Sequence, residues 1–181
     1  MKYRTSRSED EILPNKLGLS SSVEVAEEEY RGFLRAVIKF ESELDHITAF
    51  GPIYKFAGNL RTVNMSKGGF TFPTAKFLPE IIQEFKKDFL SEAPKQISNY
   101  EELIQFIVPI HAELLFIHPF REGNGRTIRL YSDLMAQKMG FGKFNFDEIT
   151  DEHMPEYIRA VQSAAEKNDI PIIELFRKLK G

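Results

Sequence analysis

Apolar residues recur at helical spacing through most of the chain and break down in one glycine-rich stretch near its middle. Residues 21–44 carry Val25, Phe33, Val37 and Phe40 at intervals that predict a helix with those four as core positions. Ser21-Ser22-Val23-Glu24 has the form of a capping box at its start. Residues 45–72 contain Gly51, Pro52, Gly58, Gly68 and Gly69, with β-prone runs at 60–65 and 70–72. That pattern predicts a β-hairpin or structured flap. Helical periodicity resumes after Pro73, over residues 74–90 and then 98–117. Ser98 with Glu101 reads as a second capping box, and Pro109 is placed to bend the second of these helices. His118 precedes Pro119, and a residue before proline is pushed out of the right-handed helical region, so His118 should end that helix. Further helices are expected over 126–139, 150–166 and 171–180. The expected fold is all-α with one small hairpin: an extended arm over residues 1–19, carrying Pro14 and Gly18, and a single domain over 20–181.

Composition narrows the class without changing the fold. Hydrophobic residues make up 42% of the 181, with 16 phenylalanines, enough for a sizeable core. A formal charge of −3 gives no electrostatic argument for nucleic acid or an anionic membrane. The sequence has no apolar run of spanning length, and its first twenty residues are too polar for a signal-peptide core. The absence of cysteine excludes disulfides, thiolate catalysis and Cys-type zinc sites. A cytoplasmic protein is expected, with export by a route that leaves no N-terminal signal also compatible.

The chemistry concentrates in one segment, His118-Pro-Phe-Arg-Glu-Gly-Asn-Gly-Arg-Thr-Ile-Arg129. Gly123 and Gly125 bracket Asn124 where a helix begins. Glycine lets the backbone turn its N–H groups inward, and a helix start adds unpaired donors and partial positive charge. Such a turn is an anion site, with phosphate its usual guest. Arg126 and Arg129 are three residues apart, so they share a helix face from which both reach a polyphosphate. Glu122 beside bound phosphates is a natural Mg²⁺ ligand. A histidine, with an ordinary pKa of roughly 6.5, can take a proton from an attacking hydroxyl, and His118 stands one short loop from the anion turn. Taken singly, Gly-Asn-Gly reads as a tight interhelical turn, the arginines as a solvated face and His118 as a structural histidine. Together they are the parts of a phosphoryl-type transfer site, and no P-loop or G-x-G-x-x-G offers another route to nucleotide.

The segment resembles the signature of the Fic (filamentation induced by cAMP) family, H-x-F-x-[DE]-G-N-G-R-x-x-R, at every specified position. Tyr54-Lys-Phe-Ala-Gly58, Arg61-Thr-Val-Asn-Met-Ser-Lys-Gly-Gly69 and His111-Ala-Glu-Leu-Leu-Phe-Ile117 are also similar to Fic segments. The resemblance implies a Fic-type helical bundle and a protein adenylyltransferase, a nucleotidyltransferase that moves AMP from ATP to a Tyr, Thr or Ser hydroxyl of a target protein and releases pyrophosphate. On that reading His118 is the general base and Glu122 holds Mg²⁺. Gly123, Asn124 and Gly125 form the anion hole, and Arg126 and Arg129 contact the β- and γ-phosphates. Phe120 is an apolar anchor, and Pro119 shapes the loop. The flap comprises Arg61, Thr62, Val63, Asn64, Lys67, Gly68 and Gly69 and docks the target by strand addition. His111 lies seven residues before His118 without the H-E-x-x-H spacing, and is expected to be a buried, hydrogen-bonded structural histidine.

Two departures bear on regulation and support. Many members carry an inhibitory helix with [ST]-x-x-x-E-[GN]. Residues 20–25 fit its first five positions, but Val25 stands at the last. No internal inhibitory helix is therefore expected, which leaves room for a separate antitoxin-like partner. Members usually also carry an extra helix before the Tyr54 turn, where this chain has only residues 45–53. The readings that compete with AMP transfer are a catalytically silent nucleotide-binding toxin–antitoxin module and a variant that transfers phosphate or another nucleotide. The full Gly-Asn-Gly-Arg segment favours AMP, and the intact His118 and Glu122 argue against a silent module.

Overall fold

The computed structural model describes residues 12–25, 27–28, 50–67, 70–90, 94 and 96–181. Its contacts divide the chain into two compact units, one comprising residues up to Ala75 with Phe120–Glu122, the other Lys76–Pro119 with Gly123–Gly181.

In the first unit, Ser21 opens a helical segment at residues 22–25, and its Oγ accepts from Val23 N at 3.3 Å. Val25 packs against the buried cluster of Phe50, Ile53 and Tyr54 together with Leu13, Phe56 and Ala57. The expected core role of Val25 therefore holds, whereas Phe33, Val37 and Phe40 lie outside the described residues, as do most of positions 45–53. Lys16 ties residues 12–19 to this cluster through its N–H to Ile53 O (2.6 Å) and its Nζ to Gly51 O (2.6 Å). The hairpin consists of β1 (Ser66–Lys67) and β2 (Phe70–Thr71), antiparallel, with Ser66 opposite Thr71 and Lys67 opposite Phe70.

The hairpin's first strand thus falls after the run from which it was expected. Residues 60–65 form no strand: the Val63 carbonyl is taken by the Arg61 side chain, and the Arg61 and Asn64 side chains hold the segment to Pro73 and Ala75. Arg61 donates to Val63 O (2.8 Å) and Pro73 O (2.6 Å), and Asn64 Oδ1 accepts from Ala75 N (2.9 Å).

The second unit is helical. A 3₁₀ turn (Ala75–Phe77) leads into α1 (Leu78–Phe85), which ends in a π-helical turn (Lys86–Leu90). α2 (Tyr100–Ile117) follows, then α3 (Asn124–Lys138), a 3₁₀ turn (Phe146–Glu148), α4 (Met154–Ala165) and α5 (Ile170–Lys178). α2 starts two residues later than the expected 98, and its cap lies one residue after Ser98. The cap is Asn99, whose Oδ1 accepts from Glu102 N at 2.9 Å, while the Glu102 carboxylate reaches back to Ser98 N at 2.8 Å. Asparagine caps at least as well as serine, and here Glu102 rather than Glu101 completes the reciprocal pair.

α2 buries Leu103, Ile104, Ile107, Val108, Ile110, Ala112, Leu115 and Ile117. A helix apolar around its circumference must be central, and α2 is packed by α1, α3, α4 and α5. Phe144 and Phe176 meet edge-on at 4.9 Å between centroids, and Tyr100 Oη donates to Phe176 O at 3.2 Å. These contacts pin α5 to the start of α2. Among the described residues no helix is long and apolar enough to cross a membrane.

Candidate active site

The site forms where the end of α2 gives way, across a short loop, to the start of α3. His118 caps α2 in the left-handed region at φ 50°, ψ 59°, and its N–H still donates to Leu114 O at 3.0 Å. Pro119 bars the right-handed conformation, and the chain turns sharply instead of continuing. A histidine at positive φ is strained, and such strain persists where the surrounding structure over-determines it. The His118 side chain is buried, at 3% exposure, with Nδ1 3.2 Å from Leu115 O. A carbonyl can only accept, so Nδ1 carries the hydrogen and Nε2 holds the lone pair of the neutral ring.

Gly123 is the N-cap of α3 at φ 78°, a left-handed conformation that glycine adopts without a Cβ penalty. It has no side chain with which to cap the helix, and the start of α3, with its partial positive charge, is the kind of place where an anion is held. Asn124 is fully buried. A Cβ built on Gly125 would stand 3.8 Å from Arg129 Nη1, so the Arg129 guanidinium reaches back over the first turn of its own helix. Arg126 and Arg129 are both half-buried on that helix, and Glu122, also half-buried, directly precedes the N-cap. Among the described residues no three His, Asp or Glu side chains group as a metal site. One carboxylate is nevertheless a fitting complement for Mg²⁺, which takes few protein ligands and draws others from substrate phosphates and water.

His111 is fully buried on α2, as its spacing suggested. Its Nδ1 lies 2.7 Å from Ser132 Oγ on α3 and its Nε2 2.7 Å from Tyr157 Oη on α4. Phe146 stacks on its ring and Phe176 meets it edge-on at 4.9 Å. Burial, with the Arg129 charge adding to it, pushes the imidazole down to about 3. On the opposite side of the scale, burial raises the Asp133 carboxyl to about 6, although Asp133 Oδ1 accepts from Phe144 N at 3.0 Å. Ser132 and Tyr157 carry no recognisable motif, and only the packing of α2, α3 and α4 reveals them.

The flap residues lie in the first unit. Thr62, Val63 and Asn64 are exposed and Lys67 is half-buried, while Gly68 and Gly69 fall outside the described residues. Arg61 is no surface residue. It is 3% exposed, burial lowers its pKa, and it braces the chain from inside through Val63 O and Pro73 O.

Residues 36–136, more than half of the chain, match the Fic/DOC family. The chain belongs to that family. Two curated relatives illustrate its setting. The protein adenylyltransferase VbhT of Bartonella schoenbuchensis is 29% identical over an alignment of 129 positions that covers 66% of this chain and 26% of that protein. The protein adenylyltransferase fic-1 of Caenorhabditis elegans is 34% identical over 85 residues, 47% of this chain and 16% of that one. The chain therefore spans about a quarter or less of the length of these relatives. In three dimensions it is similar to the BepC effector of Bartonella tribocorum, solved with bound AMPPNP, with a TM-score of 0.77 at 20% identity over 92% of this chain and 91% of that one. That likeness establishes the Fic fold, a helical bundle with a small two-stranded hairpin.

Proposed function

We propose that the chain is a protein adenylyltransferase that moves AMP from ATP to a hydroxyl side chain of a target protein. The observation that carries this reading is His118, whose Nδ1 is committed to Leu115 O and whose Nε2 therefore holds the basic lone pair. The adenylyltransferase names of the family relatives support the same reading.

In the proposed reaction, Nε2 of His118 accepts the proton of the target's Tyr, Thr or Ser hydroxyl. The oxygen bonds to the α-phosphorus of ATP, the bond to the bridging oxygen breaks, and pyrophosphate leaves with that electron pair. Gly123, Asn124 and Gly125 cradle phosphate at the start of α3, and Arg126 and Arg129 balance the β- and γ-phosphate charge. Glu122 would hold Mg²⁺, which supplies charge neutralisation at the phosphates when bound. There is little covalent work for the protein, so the rate comes from positioning and fixed charge. The stretch around Thr62, Val63, Asn64 and Lys67, with Gly68 and Gly69, offers main-chain groups to an extended target segment, and Arg61 stiffens it.

A separate inhibitory partner fits the chain better than an internal one. Val25, which replaces the glycine or asparagine of the inhibitory motif, is used for packing against Phe50, Ile53 and Tyr54. A reaction that consumes ATP suits the cytoplasm, and suits equally a protein delivered by a signal-less route into a compartment that holds ATP.

The test is intact-mass analysis of the protein and of lysate proteins after incubation with ATP and Mg²⁺. Addition of one AMP to a protein is the expected result, with loss of labelling in His118→Ala. Equal labelling by His118→Ala would overturn the mechanism.

A further inference from the structure

With the Ser132 hydroxyl hydrogen placed on Ile128 O, the hydrogen bonds around His111 run in one direction. Ser132 Oγ donates its single hydrogen to Ile128 O at 3.1 Å, so toward His111 it can only accept. His111 Nδ1 must then carry the hydrogen of the 2.7 Å contact, and Nε2 accepts from Tyr157 Oη at 2.7 Å. The result is a chain from Tyr157 on α4, through His111 on α2 and Ser132 on α3, to the carbonyl of Ile128. Every member is buried, and the chain joins three helices with two side-chain contacts of 2.7 Å.

Its position along the helices gives the chain a consequence beyond packing. His111 lies two turns before His118 on α2, and Ser132 lies one turn after Arg129 on α3. The remaining apolar contact of α3 comes from residues such as Ile128, Leu134 and Ala136. Apolar contact is non-directional and permits small rotations and slides, whereas a buried hydrogen bond loses its strength within a few tenths of an ångström. We infer that His111, Ser132 and Tyr157 form a positioning triad that fixes the rotation and height of α3 against α2, and with them the placement of Arg126, Arg129 and the anion turn relative to His118. This inference rests on the adenylyltransferase reading. A triad of this kind acts on the rate rather than on ATP affinity, since phosphates held by the anion turn and arginines of α3 move with that helix as a body while the distance from base to reacting hydroxyl cannot be recovered.

The experiment measures apparent kcat and KM for ATP, from AMP incorporation into lysate proteins, well below each variant's melting temperature. Ser132→Ala and Tyr157→Phe are expected to lower kcat by about 10- to 100-fold, the scale of an ångström-sized misplacement, and to leave KM and Kd for ATP within about threefold. His111→Asn, whose side-chain amide keeps a donor for Ser132, is expected to retain far more kcat than His111→Leu. Nitrogen-15 NMR of the wild-type protein should show His111 as the Nδ1–H tautomer, unchanged across neutral and mildly acidic pH. Variants that melt earlier but keep kcat would make the triad merely structural and overturn the inference, as would an Nε2–H tautomer. A wild-type chain that binds ATP yet labels nothing beyond the His118→Ala background sinks the functional reading instead, and the tautomer still decides the hydrogen-bond chain.

Discussion

His118 donates its Nδ1–H to the carbonyl of Leu115 at 3.2 Å, and this bond determines which ring nitrogen keeps a lone pair. The partner is a helix-end carbonyl that α2 leaves without an intrahelical donor. The left-handed turn at His118 brings ring and carbonyl together, so backbone strain and side-chain tautomer have one origin.

Removing that imidazole should affect the rate and spare binding. His118→Ala is expected to lower AMP transfer by about 10²- to 10⁴-fold, the usual worth of a positioned general base. ATP affinity, measured by calorimetric titration, should stay close to wild type, because the phosphate contacts are assigned to residues 123–129. A parallel collapse of affinity would mean that His118 shapes the anion site and is not simply the base.

Gly123 should resist substitution on conformational grounds. At φ 78° an alanine would carry roughly 1–2 kcal/mol of left-handed strain. For a chain of this size that corresponds to a melting temperature lower by roughly 2–8 °C, and ATP binding should weaken as the first turn of α3 shifts. Unchanged melting and unchanged ATP affinity in Gly123→Ala would contradict the N-cap role.

Arg61 is expected to govern the flap from within. Arg61→Ala removes the buried guanidinium that bonds the Val63 and Pro73 carbonyls, at a cost of about 1–3 kcal/mol where the carbonyl left behind is shielded from water. Amide exchange at Phe72 and Ala75, whose N–H groups bond Met65 O and Asn64 Oδ1, should accelerate. Transfer to a protein target should fall through KM for that target, with ATP binding intact. A fall in ATP affinity with normal exchange would refute the assignment.

Two buried groups should oppose each other as the protein is acidified. His111 sits near 3 when folded against an ordinary 6.5, so between those values the unfolded chain binds the extra proton and stability drops as pH falls. Asp133 sits near 6 when folded against an ordinary 3.8, so in that window the folded chain binds the extra proton and stability rises as pH falls. Between about pH 4 and 6 the two contributions partly cancel. Melting temperatures measured across this range should fall more steeply with acid in Asp133→Asn than in the wild type, and less steeply in His111→Asn. Parallel curves for all three proteins would disprove the balance.

Legible from the residues alone were the helices of the second unit, the end of α2 at His118, the glycine-bracketed turn at residues 123–125 and the buried state of His111. Each is written in local terms: a 3.6-residue apolar period, a proline after a histidine, two glycines at a helix start. Family membership was equally legible, because the motif is contiguous. Other features depended on what lies nearby in space. The cap of α2 moved to Asn99 because Glu102 could reach both Ser98 N and the Asn99 amide. Residues 60–65 gave up strand pairing because Arg61 and Asn64 found backbone partners at Pro73 and Ala75, twelve and eleven positions away. Ser132 and Tyr157, 21 and 46 residues from His111, became its partners only when α2, α3 and α4 packed. Local sequence fixes dihedral preference and periodicity. Which donors and acceptors meet depends on packing, because burial makes each find a partner among whatever groups are brought within reach.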